Sequence, residues 1–80
     1  MPYQVINPDE KRSSPASKRG TFKVRNQSDP AKTGKYSIKI GDAPTERKSI
    51  THGHKDEFDC LDKAVVLTNV GDCDLEWLRD

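Results

Sequence analysis

Several residue types are scarce in this chain, and each shortage narrows what it does. Histidine is absent after residue 54, methionine and tryptophan occur once each, and Cys60 and Cys73 are the only cysteines. Two cysteines with twelve residues between them, and no CxxC partner, do not make a zinc-finger framework. No apolar run approaches the roughly 18 residues that a membrane-spanning helix needs. No ten-residue stretch carries a convincing 3.6-residue apolar period, so a helical bundle is not expected. The chain has no glycine-rich phosphate loop, no G-x-S-x-G and no calcium loop of the D-x-D-x-D-G type. No motif places a base beside either thiol. These absences together predict a non-enzymatic protein without a cofactor.

Charge, in contrast, is plentiful. Charged residues make up 34% of the 80 positions and apolar ones 31%, for a net charge of +1. A chain this short buries only about 60% of its unfolded surface, so it forms one domain with a thin stability margin. The small net charge hides an asymmetry. Residues 1–55 carry twelve Lys/Arg against five Asp/Glu, a net of +7, and residues 56–80 carry two against eight, a net of −6. Two outcomes are open: interleaving of opposite charges across neighbouring strands, or a dipolar surface that favours self-association.

Residues 1–20 contain Pro2, Pro8 and Pro15 together with Ser13, Ser14, Ser17 and Gly20, and only Tyr3, Val5 and Ile6 are able to pack. This composition predicts a flexible N-terminal arm over 1–20, disordered or ordered on a partner through those three anchors. From residue 21 the apolar period becomes two. Phe22 and Val24 alternate with Lys23 and Arg25; Tyr36, Ile38 and Ile40 alternate with Ser37 and Lys39; Phe58 and Cys60 alternate with Glu57 and Asp59. Pro30 and Gly34 break the connection between the first two runs. Ser49–Thr51 reads as a short edge strand, AVVLTNV as a strand buried on both faces, and CDLEWL as a final alternating strand. Val70-Gly71-Asp72-Cys73 has the chemistry of a two-residue hairpin loop, which would pair Thr68 with Leu75 and Val66 with Trp77. The expected fold is all-β: a small antiparallel β-sandwich or barrel of five to six short strands over residues 21–80, behind the flexible arm.

The most suggestive chemical stretch is THGHKD, residues 51–56. His52, His54 and Asp56 alternate, so a strand would point all three the same way, and a three-ligand surface metal site is geometrically possible. The stretch resembles the H-x-H-x-D signature of the metallo-β-lactamase-like hydrolases, whose fold and metal chemistry the resemblance would imply. Glu57 stands where that family continues with a further histidine, and the ligands it draws from far downstream have no counterpart here. Two solvated imidazoles in a polar turn are the expected outcome, with no resident metal. Cys60 and Cys73 fall on inward positions, where they serve as small buried hydrophobes. A disulfide between them is the alternative in an oxidising compartment.

Lys23, Arg25, Lys35 and Lys39 beside Tyr36 could form a basic sheet face of the kind that binds single-stranded nucleic acid. Five aromatics, mostly needed for the core, and an acidic C-terminal quarter argue against it, so a nucleic-acid partner is not expected. The leading expectation is a β-module acting by protein–protein association, a homo-oligomer (dimer or trimer) contacting its partner through Tyr3, Val5, Ile6, Lys23, Arg25 and Lys39. Its size suits an accessory or virion structural protein of the sort phages and bacteria encode as short genes. The N-terminus lacks the basic-then-apolar pattern of a leader, so the cytoplasm, or a particle assembled there, is the expected location. The rival expectation is a carbohydrate- or single-strand-binding module with Trp77 or Tyr36 as an exposed platform.

Overall fold

The computed structural model describes residues 3–18, 20–28 and 31–80. Pro2, counted in the predicted arm, and Pro30, taken as a loop breaker, lie outside the described residues. Among the described residues eight strands form: β1 (Gln4–Ile6), β2 (Lys11–Ser14), β3 (Thr21–Arg25), β4 (Gly34–Ile40), β5 (Glu46–Ile50), β6 (Lys55–Asp59), β7 (Val65–Asn69) and β8 (Leu75–Arg79). They build two four-stranded antiparallel sheets, ordered β1-β8-β3-β6 and β2-β7-β4-β5. No helix forms among the described residues. The molecule measures 35 × 26 × 17 Å, and its thin dimension is that of two packed sheets.

The pairing is nested. β4 pairs with β5, β3 with β6, β2 with β7 and β1 with β8. The chain is thus one long double strand folded about the β4–β5 turn and rolled so that successive pairs alternate between sheets. Two further pairings, β3 with β8 and β4 with β7, close each sheet.

Alternation places the core where the sequence pattern expects it in β3 and β4. Phe22, Val24, Tyr36 and Ile38 point inward and are almost wholly buried, and Val65, Leu67, Leu75 and Ile50 join them. The T-shaped contact of Tyr36 on β4 with Phe58 on β6 ties the two sheets together across the sandwich, and Phe22 stacks on Trp77 of the neighbouring strand within its own sheet.

Three expectations need correction. The strand number is eight, because the N-terminal segment supplies β1 and β2, one to each sheet. No arm stands off the domain over 3–18. Ile6, expected as a partner anchor, is fully buried opposite Leu75 in the chain's own core. Ser14 is buried as well, so ordering of this segment is offset by pairing to β8 and β7 rather than by a partner.

The β7–β8 hairpin does not form either: β7 lies in one sheet and β8 in the other. Residues 70–74 instead cross between layers, and the face of β7 inverts. Val65, Leu67 and Asn69 point inward, while Val66 and Thr68 face out and Val70 is 42% exposed. The expected core members Leu61 and Val70 are likewise at the surface, with Leu61 58% exposed. Gly71 is essential to the crossing, since a Cβ there would stand 2.8 Å from the Lys35 backbone nitrogen.

Candidate functional site

The four edge strands of the two sheets differ in chemistry. β2 (KRSS), β5 (ERKSI) and β6 (KDEFD) all carry charges, a common way of discouraging edge-to-edge pairing. β1 (QVI) carries none. It pairs only with β8, so its other edge presents unpaired backbone groups, and Val5 is 49% exposed.

Alternation puts Val5 on the outer face of its sheet together with Glu76, Leu78, Lys23 and Arg25. The register sets Val5 beside Glu76, Glu76 beside Arg25, and Leu78 beside Lys23. The Arg25 guanidinium lies over the Tyr3 ring, 3.8 Å from its centroid, and its Nε donates to Glu76 Oε1 at 2.6 Å. Lys23 reaches Asp80 at 3.5 Å and Lys55 reaches Glu57 at 3.3 Å. Charges on this face are therefore interleaved, with Tyr3, Val5 and Leu78 as its apolar members. Next to β1 opens a cleft of about 420 Å³, lined in part by Val5, Lys32, Asp72, Asp74 and Glu76.

Of the residues expected to meet a partner, Tyr3, Val5, Lys23 and Arg25 thus come together, Ile6 withdraws into the core, and Lys39 lies on the outer face of the opposite sheet. The platform candidates both point inward. Tyr36 is fully buried. Trp77 is half-buried against Phe22, and its Nε1 is sealed from solvent without a hydrogen-bond partner among the described residues. The Tyr36 hydroxyl donates to Asp56 Oδ2. Burial, and then this bond to a carboxylate, pushes the phenol well above its ordinary range.

That bond also occupies the third member of the His52/His54/Asp56 set. His52 and His54 flank Gly53 in an exposed turn closed by a 3.0 Å bond from His54 N to Thr51 O. Gly53 takes φ 84°, the left-handed value that this turn type demands. Among the described residues no three metal-ligating side chains gather. Cys60 and Cys73 are free and buried. Burial raises the Cys60 thiol above its ordinary range, against an opposing pull from Arg79, which keeps the thiol protonated and poorly nucleophilic.

Sequence reasoning missed the polar residues that fix the loops. Asn26 is fully buried and its Nδ2 donates to Ile50 O and Lys32 O at 2.9 and 2.6 Å, while Oδ1 accepts from Ser28 N. Asn69 repeats the arrangement with Ile6 O, Cys73 O and Gly71 N. Asn-x-Ser and Asn-x-Gly at strand ends are the available signal, since asparagine there closes the turn onto its own backbone two residues on. Arg79, also buried, donates to Pro15 O and Cys60 O.

The nested strand order is that of a jelly roll, eight strands wound as a rolled double strand. No family model matches the chain, and no curated protein matches it. Among solved structures it is similar to a chain in the crystal structure of Drosophila melanogaster CENP-C bound to CAL1, with a TM-score of 0.56 and 18% identity. The match covers 98% of this chain and 62% of that one, so this chain spans less than two thirds of its neighbour's length. At that identity the likeness establishes a shared fold.

Proposed function

We propose that this protein is a non-enzymatic jelly-roll module that acts by protein–protein association, its first partner a second copy of itself. The observation that carries the reading is the β1 edge: it alone among the four edge strands is uncharged, and it exposes Val5 beside Tyr3 and Leu78. Antiparallel pairing of β1 with β1 of a second copy across a two-fold axis would satisfy both open edges and extend the sheet. A two-fold contact of this kind would give a dimer rather than a trimer. The solved neighbour belongs to a complex of two proteins, which supports association as a use of this fold.

Burial of Tyr36 and the stacking of half-buried Trp77 on Phe22 weaken the rival platform reading. A role as an accessory or virion structural protein is a finer reading supported by the chain's small size alone. The free thiols suit a reducing compartment such as the cytoplasm.

Light scattering tests the proposal. The wild type should run as a dimer at tens of micromolar, and Val5→Lys, which places a charge on the open edge, should run as a folded monomer. A wild-type monomer at high micromolar concentration would overturn it.

A further inference from the structure

The outer face of the β2-β7-β4-β5 sheet differs in kind from that of its counterpart. Its outward positions are Lys11 and Ser13 on β2, Val66 and Thr68 on β7, Lys35, Ser37 and Lys39 on β4, and Arg47 and Ser49 on β5. Four are cations, all exposed, and no outward position of these strands is acidic. The carboxylates of Asp9 and Asp42 belong to turns beyond the strand ends. Among the described residues none of Lys11, Lys35, Lys39 and Arg47 forms an ion pair, whereas Lys23, Arg25 and Lys55 on the opposite face all do. Folding therefore interleaves charge on one sheet and leaves it of one sign on the other.

We infer that this face binds the phosphate backbone of a nucleic-acid duplex without reading its sequence. Lys35 and Lys39 stand about 14 Å apart along β4, and Lys11 lies two strands, about 10 Å, to the side. A duplex carries one charge per about 1.7 Å of axis, so a patch of this size meets several phosphates at once. Ser13, Ser37, Ser49 and Thr68 intersperse hydroxyl donors among the cations, a usual complement of phosphate-contacting side chains.

The same face argues against other occupants. Single strands are held by stacking on aromatics, and no aromatic points outward here; Tyr36 is on the other side of β4. A protein partner is met by an apolar centre in which lysine is depleted, and here the only outward apolar side chain within the strands is the half-buried Val66. This surface lies opposite the proposed β1 contact, so the two bindings are separable.

The test is fluorescence anisotropy with a labelled 24-base-pair DNA duplex, its single strand and a polyglutamate peptide, with folding of each variant checked by circular dichroism. If all four cations meet phosphates, log affinity should fall with log salt at a slope of about −3.6, and Lys35→Glu/Lys39→Glu should bind at least tenfold more weakly at 50 mM salt. Should that variant not fold, Lys11→Gln/Arg47→Gln removes the other two contacts and should halve the slope to about −1.8. The control Lys55→Glu, on the opposite sheet at the edge farthest from β1, should cost less than threefold. The inference is overturned by no duplex binding at 50 mM salt, by equal losses in control and test variants, by tighter binding of the single strand, or by polyglutamate binding as well as the duplex does.

Discussion

Asn26 follows β3 and Asn69 ends β7, and each spends its whole amide on backbone groups of strand ends and loops: Ile50, Lys32 and Ser28 for Asn26, and Ile6, Cys73 and Gly71 for Asn69. An aspartate keeps the shape and loses both donors. Asn69→Asp would bury a carboxylate facing the carbonyls of Ile6 and Cys73, and we expect it to cost about 3 kcal/mol or more; an unchanged urea midpoint would contradict that. Tyr36 is a second buried group with a measurable signature. Its folded phenol ionises well above the unfolded value, because burial and Asp56 both favour the neutral form. The stabilisation is complete below the unfolded value near pH 10. It is lost as pH climbs beyond that, where the unfolded chain sheds the proton first, at a slope of up to about 1.4 kcal/mol per pH unit. Denaturation at pH 8 and 11 should show this loss in the wild type and a shallower one in Tyr36→Phe. Trp77 completes the set: Trp77→Ala should cost about 3–5 kcal/mol by removing a stacked core ring. Trp77→Phe should cost less, since it keeps a ring against Phe22 and deletes an unsatisfied donor.

At the scale of elements, what was legible in the sequence and what was not divide on one physical line. Alternation is local, so β3, β4, β6 and β8 could be placed from their period, and the inward set Phe22, Val24, Tyr36 and Ile38 with them; β5, expected over 49–51, forms over Glu46–Ile50, and β7 was signalled by apolar density rather than by a period. Pairing is not local. Val70-Gly71-Asp72-Cys73 fits a hairpin loop, but the preference of a two-residue loop is worth less than burying Val65, Leu67 and Leu75 in a shared core, which requires β7 and β8 in different layers. β1 and β2 were missed for a related reason: KRSS has no apolar alternation, and its place in the sheet comes from hydrogen bonding to β7. Proline and serine content predicted an arm where the closing strands of the roll lie. Deletion of residues 1–20 should therefore unfold the domain, seen as loss of the β circular-dichroism signal, rather than release a folded monomer. Gly71→Ala should destabilise more than Gly34→Ala, because the new methyl meets the Lys35 backbone in the first case and the terminal methyl of the buried Leu75 side chain, which a change of rotamer can withdraw, in the second; thermal midpoints in the reverse order would contradict the crossing geometry. Of the candidate site, Val5, Tyr3, Lys23 and Arg25 were legible as residues. Their convergence depends on β1 joining β8, which no period announces.

For the whole molecule, the +7 and −6 halves of the chain become two unlike faces. One sheet pairs its charges internally around Tyr3, Val5 and Leu78; the other displays unpaired cations. Self-association through the first face should therefore change little between 50 and 500 mM salt, while any contact of the second should fall steeply. Self-association rests on the open edge of β1, and amide hydrogen exchange at Gln4–Ile6 followed across a hundredfold dilution reads that edge. The β1 amides that point away from β8 should gain protection as concentration rises, while those on the open side of the charged edge β5 should not. Exchange at β1 that is fast at every concentration, or that changes no more than at β5, would contradict association through this edge.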